Sequence, residues 1–456
     1  MRNTKNTKET ESLRPAGSRL LQLTLVAGLA LAAHGAKAGL LQDIYSGTLS
    51  ADQGMTVTDL NAKAADQQVI TEQRRYLPKV SINAHEGAVY QDVRKSGNPV
   101  FKSGTSTYGN TRVNAELDQP LYDPTIKPLV DAAKARRQQV LSRGRQTTEW
   151  QTRMVVEGFL RSVRYHALSQ SADRVIARLE KEQETVTKSY EAKIATLSDV
   201  QNVGLALASM KRERNNFTQQ FYHELSTMGV SSEKVKEGWV KMNPEANTAV
   251  LTDVVPDGKG QPAEIERLKA EAAEASNQGI AAKRRSWPVL SLYGEYGFDN
   301  AGGSSFGGPR DQSLYAAGVV VKWDIFSRGM NRSEAREFAY RKQAKEAELR
   351  AMSADRQKAD VYSKEFLDQS NRSVAELADL MKQYEGLRDS SARAYEAGKD
   401  SYINAITAYL ACESTARELT NAQYDRLVQQ TLYCGQTAGW NGALVEKVDA
   451  LFVASK

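Results

Sequence analysis

Cysteine and histidine are scarce in these 456 residues, with two of the first and four of the second. Cys412 and Cys434 would stand about 33 Å apart on one helix, so they cannot bridge there and read as inert small hydrophobes. His34, His85, His166 and His223 are scattered without metal-ligand spacing. No nucleophile elbow, P-loop or dinucleotide fingerprint is present. Gly302–Gly308 is glycine-rich but lies between strands and not before a helix, which argues against a phosphate cradle. Acid pairs such as Glu180/Glu182 sit on helices and read as solvated faces. The chain is accordingly read as not an enzyme, with no cofactor and no metal. Long hydrophobic runs are also missing beyond the N-terminus, and the mean hydropathy is −0.54. That excludes a polytopic helical membrane protein, whose spans need about 20 mostly apolar residues each. It does not exclude a β-barrel, whose strands carry their apolar face in alternation.

The formal charge of +6 is concentrated at the start. Residues 1–38 read as a signal peptide, with a basic stretch ending at Arg19, an apolar run Leu20–Ala33 too short for a span, and the small-residue site Ala36-Lys37-Ala38. Removing their six Lys/Arg and two acids leaves +2, which lacks the electrostatic footprint of a nucleic-acid binder. Gly39 follows the expected cut, so no lipid anchor is expected at that position.

The remainder is an internal duplication with a period near 205 residues. Tyr190-Glu191-Ala192 recurs as Tyr395-Glu396-Ala397. Tyr76-Leu77-Pro78-Lys79-Val80-Ser81-Ile82 is answered by Trp287-Pro288-Val289-Leu290-Ser291-Leu292, and Gln119-Pro120-Leu121-Tyr122-Asp123 by Trp323-Asp324-Ile325-Phe326-Ser327. Each unit reads as helix, strand, strand, long helix, short helix. Alternation marks the strands: Val80/Ile82/Ala84, Val113/Ala115/Leu117, Leu290/Leu292 with Tyr296 and Phe298, and Tyr315/Ala317/Val319/Val321/Trp323/Ile325. Gln91–Ser106 and Asp299–Gln312 read as hairpin loops. Thr125–Lys188 and Asn331–Ala394 each predict a helix of roughly 96 Å, followed by shorter segments Asp199–Met228 and Ser401–Gln430 that fold back. The expected organisation is repeat 39–228, irregular segment 229–261, repeat 262–434 and tail 435–456.

Four strands of about thirteen to fifteen residues cannot close a barrel, and a bilayer tolerates no open sheet edge, so several chains must pool strands. Aromatics near strand ends (Tyr76, Tyr122, Trp287, Tyr296, Phe298, Trp323, Phe326) suit interfacial girdles. The alternative is a soluble β-sandwich with core aromatics.

At this point the chain resembles the TolC-like outer membrane factor family. The resemblance rests on Leu40-Leu41-Gln42-Asp43-Ile44-Tyr45, Leu77-Pro78, Gln119-Pro120-Leu121-Tyr122-Asp123, Ser198-Asp199-Val200-Gln201-Asn202, Tyr395-Glu396-Ala397-Gly398 and Leu419-Thr420-Asn421-Ala422-Gln423-Tyr424. It implies an α+β membrane protein: a homotrimeric twelve-stranded β-barrel, four strands per chain, continued by a long α-helical periplasmic tunnel. The setting implied is the outer membrane of a Gram-negative cell. Outer membrane lipid, a periplasmic adaptor (membrane fusion protein) and an inner-membrane ABC or RND-type pump are the implied partners, with no nucleic acid. Carried over by position, the gate residues at the helix tips fall on Asp199 and Tyr395, with Asp400 where a basic partner is usual and Lys193 and Lys399 as alternatives. The family's acidic ring falls on Asn404 and Thr407, both uncharged, which predicts weaker cation selectivity at the constriction. Lys193 takes a tip position that often holds Gly, equivalent to Gly398. Three readings follow: an export channel for polypeptides (type I secretion) or small molecules (multidrug efflux), a structural periplasmic coiled coil, and an exported enzyme without a site.

Overall fold

The computed structural model describes residues 39–51, 53–94, 104–231, 239–242, 262–303 and 309–454. The expected leader, most of 229–261 and residues 304–308 of the Gly-rich segment lie outside the described residues. From Leu40 onward the chain forms one compact unit.

Eight helices and six strands follow in order among the described residues. Helices α1 (Leu40–Ala51) and α2 (Gln53–Arg74) lead into strands β1 (Lys79–Val93) and β2 (Gly104–Tyr122). Helices α3 (Ile126–Glu191) and α4 (Leu197–Thr227) close the first repeat, and the short strand β3 (Val240–Met242) follows. The second repeat is α5 (Ala263–Arg284), β4 (Val289–Ala301), β5 (Arg310–Lys322), α6 (Met330–Glu396) and α7 (Tyr402–Ala438). Helix α8 (Gly442–Asp449) and strand β6 (Phe452–Ala454) end it.

Several boundaries differ from the sequence reading. Strand β2 runs 19 residues, and the hairpin loops are shorter than expected because ladder pairing continues to Val93↔Gly104 and Ala301↔Arg310. Trp323 and Ile325 lie beyond β5, although they continue its alternation. Helix α7 reaches Ala438, eight residues past the expected end and across the 434/435 boundary. Alternation and helical periodicity report which face is buried, not where the backbone ladder stops.

The four long strands form one antiparallel sheet in the order β1-β2-β4-β5. No second sheet packs face to face on it among the described residues, so the sandwich alternative fails. The helices repeat the same order. Next to the strands α2, α3, α5 and α6 are neighbours in turn, and farther out α4 packs on α3 and α7 on α6, with α7 also reaching α3.

Helix α3 is the inner member and buries Val155, Val156, Phe159, Leu160, Val163, Ala172, Val175, Ile176, Leu179 and Val186 at three- and four-residue spacing. Its middle meets the main core. There Phe159 makes an edge contact with Phe452 (5.2 Å) and a tilted contact with Trp239 (6.2 Å), against Leu427 of α7 and Leu444 of α8. Losing a ring such as Phe159 costs about 3–5 kcal/mol. A second core farther along joins Leu179 and Val186 to Val203 and Leu207 of α4 and Ile406 of α7. Cys412 and Cys434 are buried on α7 and form no disulfide, and burial pushes both thiols up.

Helix α6 is different: none of its 67 residues is buried.

Candidate functional site

The sheet has two chemically distinct faces. Cross-strand register places Ile82, Ala115, Tyr296 and Tyr315 in one row, with Ala84, Val113 and Phe298 on one side of it and Val80, Leu117, Gly294 and Ala317 on the other. Val319 and Val321 extend the same face beside Leu292 and Leu290. Many of these side chains are open, Ile82 at 72 % exposure and Val319 at 60 %, while Val113, Leu117 and Phe298 on the inner strands are half-buried. A single Leu or Val left in water forgoes about 1.5–3 kcal/mol of transfer free energy, so a whole uncovered face demands an apolar surrounding.

The opposite face is mostly polar and charged, with Leu314, Ala316 and Val320 of β5 as apolar members. Asn83, His85, Asn114, Glu116, Glu295 and Arg112 alternate onto it. Asp299 accepts from Arg310 (3.2 Å) and Arg112 (3.5 Å), and Tyr293 donates to Glu295. Strands β1 and β5 have no outer partner among the described residues.

At the helix end of the sheet, the chain crosses between helix and strand four times. Gln119 Nε2 donates to the Tyr76 carbonyl (2.8 Å), and Trp323 Nε1 donates to the Ser286 carbonyl (3.0 Å). These donors occupy matching positions of the two repeats. Arg284, its Cζ 5.8 Å from the Trp287 ring centroid, also donates through Nη1 to the Pro124 carbonyl (3.3 Å) and joins the second repeat to the first. The girdle aromatics Tyr76, Tyr122, Trp287, Trp323 and Phe326 gather here, Phe326 at 83 % exposure, whereas Tyr296 and Phe298 lie within β4.

The distal turns carry the residues carried over as a gate. After α3, Lys193 has φ 60°, and after α6 its counterpart Gly398 has φ 69°. Both turns close with the same pair of bonds: Lys193 N to Tyr190 O (2.9 Å) and Ile194 N to Ser189 O (2.8 Å), then Gly398 N to Tyr395 O and Lys399 N to Ala394 O (both 2.8 Å). A lysine at φ 60° costs about 1 kcal/mol that glycine avoids.

Asp199 forms a capping box with Thr196. Its Oδ2 accepts from Thr196 N (2.8 Å) and Oγ1 (2.7 Å), while Asp199 N donates to Thr196 Oγ1 (3.2 Å). Those bonds hold its carboxyl below the usual carboxylate range. Tyr395 does not bond Asp199 in the chain; its ring meets Tyr402 edge-on at 5.6 Å. Asp400 Oδ1 accepts from Ser401 N (2.8 Å) and from Asn404 Nδ2 (2.7 Å), so a carboxylate stands beside the amide at the ring position. Asn404 and Thr407 are exposed one turn apart on α7.

The hydrogen bond that spans the helix pair comes from a residue the sequence reading passed over. Tyr402 Oη donates to Glu182 Oε2 (3.1 Å) on α3, and Arg178 pairs with the same carboxylate at 2.7 Å. Burial and Glu182 together push the Tyr402 phenol well up. Glu182 is therefore not a freely solvated acid; its side chain is 17 % exposed, whereas Glu180 reaches out to Lys211 (2.8 Å). The repeat held a usable signal, because Tyr402 occupies the position of Leu197 and is the one polar-tipped member of that pair.

Among the described residues, no helix is long and apolar enough to cross a membrane and no group of three metal-ligating side chains comes together.

No family profile and no curated protein matches the sequence. Solved structures do match in shape. The Campylobacter jejuni outer membrane channel CmeC has a TM-score of 0.73 at 12% identity, covering 88% of this chain and 85% of that one. The outer membrane protein VceC of Vibrio cholerae gives 0.70 at 14%, covering 88% and 96%. The outer-membrane channel OprN gives 0.71 at 13%, covering 88% and 90%. The chain thus has the TolC-like fold of outer-membrane channels.

Proposed function

We propose that the protein is the outer membrane export channel of a tripartite system. Three copies pool their four-stranded sheets into a twelve-stranded barrel, and their helices continue its wall across the periplasm. The observation that carries this is the sheet itself: one uncovered apolar face, one charged face and two open edges in a single piece. A bilayer accepts such an object only when the edges are paired by further copies. Helix α6, with no buried residue and exposed Tyr340, Tyr362 and Phe366, is the edge on which a neighbouring copy would pack.

The mature chain would begin after residue 38. Repeats 39–228 and 262–434 would line the tunnel, with the 229–261 segment and the 435–456 tail at its equator. The pairing of β3 with β6 over Phe159 supports that placement. The pump, of ABC or RND type, and the adaptor would engage the distal turns. Lys193, Asp199, Tyr395, Gly398, Asp400, Asn404 and Thr407 would form the entrance, with Tyr402–Glu182 holding it closed.

The cargo would be polypeptides, as in type I secretion, or small molecules. A purely structural coiled coil leaves the two-faced sheet without a purpose. The test is mass in detergent together with single-channel conductance in a planar bilayer. A trimer with discrete conductance is expected, and a stable water-soluble monomer would sink the proposal.

A further inference from the structure

We infer that the collar where helices meet strands binds the headgroups of anionic phospholipids in the leaflet on the helix side. The inference rests on the membrane-spanning reading above and adds a ligand class to it. Each of the four crossings pairs exposed apolar residues on the strand side with exposed cations on the helix side. Tyr76 and Leu77 follow Arg74, Leu121 and Tyr122 precede Lys127, Trp287 follows Lys283, and Ile325 and Phe326 precede Arg328 and Arg332.

Arg74, Lys127, Lys283, Arg328 and Arg332 have no ion-pair partner among the described residues. The collar's other arginines are engaged: Arg75 with Glu72, Arg285 with Glu334, and Arg284 with the Pro124 carbonyl and Trp287. At the opposite, hairpin end of the sheet the described arginines are matched, Arg94 by Asp92 and both Arg112 and Arg310 by Asp299. Among the described residues, uncompensated positive charge on the sheet therefore lies at the helix end of the apolar face, beside aromatics suited to the headgroup level.

The bonds from Gln119 to Tyr76, Arg284 to Pro124 and Trp323 to Ser286 tie the four crossings together. The cations are thus held on a common support, and a phosphate-bearing surface without compensating charge complements them. An anionic surface attracts each nearby Lys or Arg by a factor of about five.

The test uses the purified full chain, reconstituted in vesicles of equal phosphatidylethanolamine and phosphatidylglycerol, re-extracted in mild detergent and assayed for retained phospholipid. The wild type should retain phosphatidylglycerol at least fivefold over phosphatidylethanolamine. The Lys283→Gln/Arg328→Gln/Arg332→Gln variant should lose that preference, and Lys283→Arg/Arg328→Lys/Arg332→Lys should restore it. No preference in the wild type, or an unchanged one in the glutamine variant, overturns the inference while conductance upholds the channel. If the glutamine variant falls apart to monomers, the cations serve subunit contact and the inference also fails. A wild-type chain that inserts into neither lipid sinks the membrane reading itself.

Discussion

Replacing Tyr402 with Phe removes one hydroxyl and tests whether the bond to Glu182 holds the distal helix pair together. The bond is 3.1 Å long and its acceptor is charged, a class worth about 1.5–3 kcal/mol. Glu182 keeps Arg178 and is 17 % exposed, so water recovers part of that value, and about 1–1.5 kcal/mol is expected. A loss of 1.4 kcal/mol multiplies the separated population by about ten. Amide hydrogen exchange at Asn404–Thr407 should accelerate by that factor, and in planar bilayers the open probability should rise in parallel. Tyr395→Phe is the control. Its hydroxyl makes no hydrogen bond among the described residues, so it should change exchange by less than a factor of two. A double-mutant cycle of Tyr402→Phe with Glu182→Ala isolates the pair. Coupling below about 0.3 kcal/mol, or equal effects of Tyr402→Phe and Tyr395→Phe, would refute the reasoning.

Three further outcomes are expected. Lys193→Gly should stabilise the α3–α4 turn by about 1 kcal/mol and Gly398→Ala should destabilise the α6–α7 turn by a similar amount, read as slower exchange at Ile194 and faster exchange at Lys399. Gly435→Ala should cost about 1–3 kcal/mol, because a Cβ there would run into the Trp440 ring; a lowered Tm, partly recovered by adding Trp440→Ala, checks it. Burial raises the Glu224 carboxyl above the usual carboxylate range, with Arg161 opposing. The fold therefore holds that proton to higher pH than the unfolded chain, and stability falls as pH climbs from about 4.3 through the raised value. Glu224→Gln should flatten that stretch of the Tm profile and raise Tm at pH 7.

Much of the architecture is written locally. Val80/Ile82/Ala84 and Val319/Val321 alternate because a strand turns successive side chains to opposite faces, so each strand announces its own apolar side. Breaker-poor runs ending near Ala192 and Ala397 set the lengths of α3 and α6, and the repeated Tyr-Glu-Ala places both distal turns. Even the φ of Gly398 and Lys193 follows from the way a helix end must be capped.

What only the tertiary structure decided are the pairings between segments far apart in the chain. Tyr402 and Glu182 are separated by 220 positions, and nothing in either local pattern tells a solvated glutamate from one that accepts a phenol. Asp199 shows the converse: its bonds to Thr196 lie three residues away and belong to the local helix start. The order β1-β2-β4-β5 likewise sets α3 inside and leaves α6 bare, although the two helices are repeats of each other. Local periodicity depends on rotation per residue and is carried by neighbours in sequence. The choice of partner depends on which surfaces the completed chain brings together.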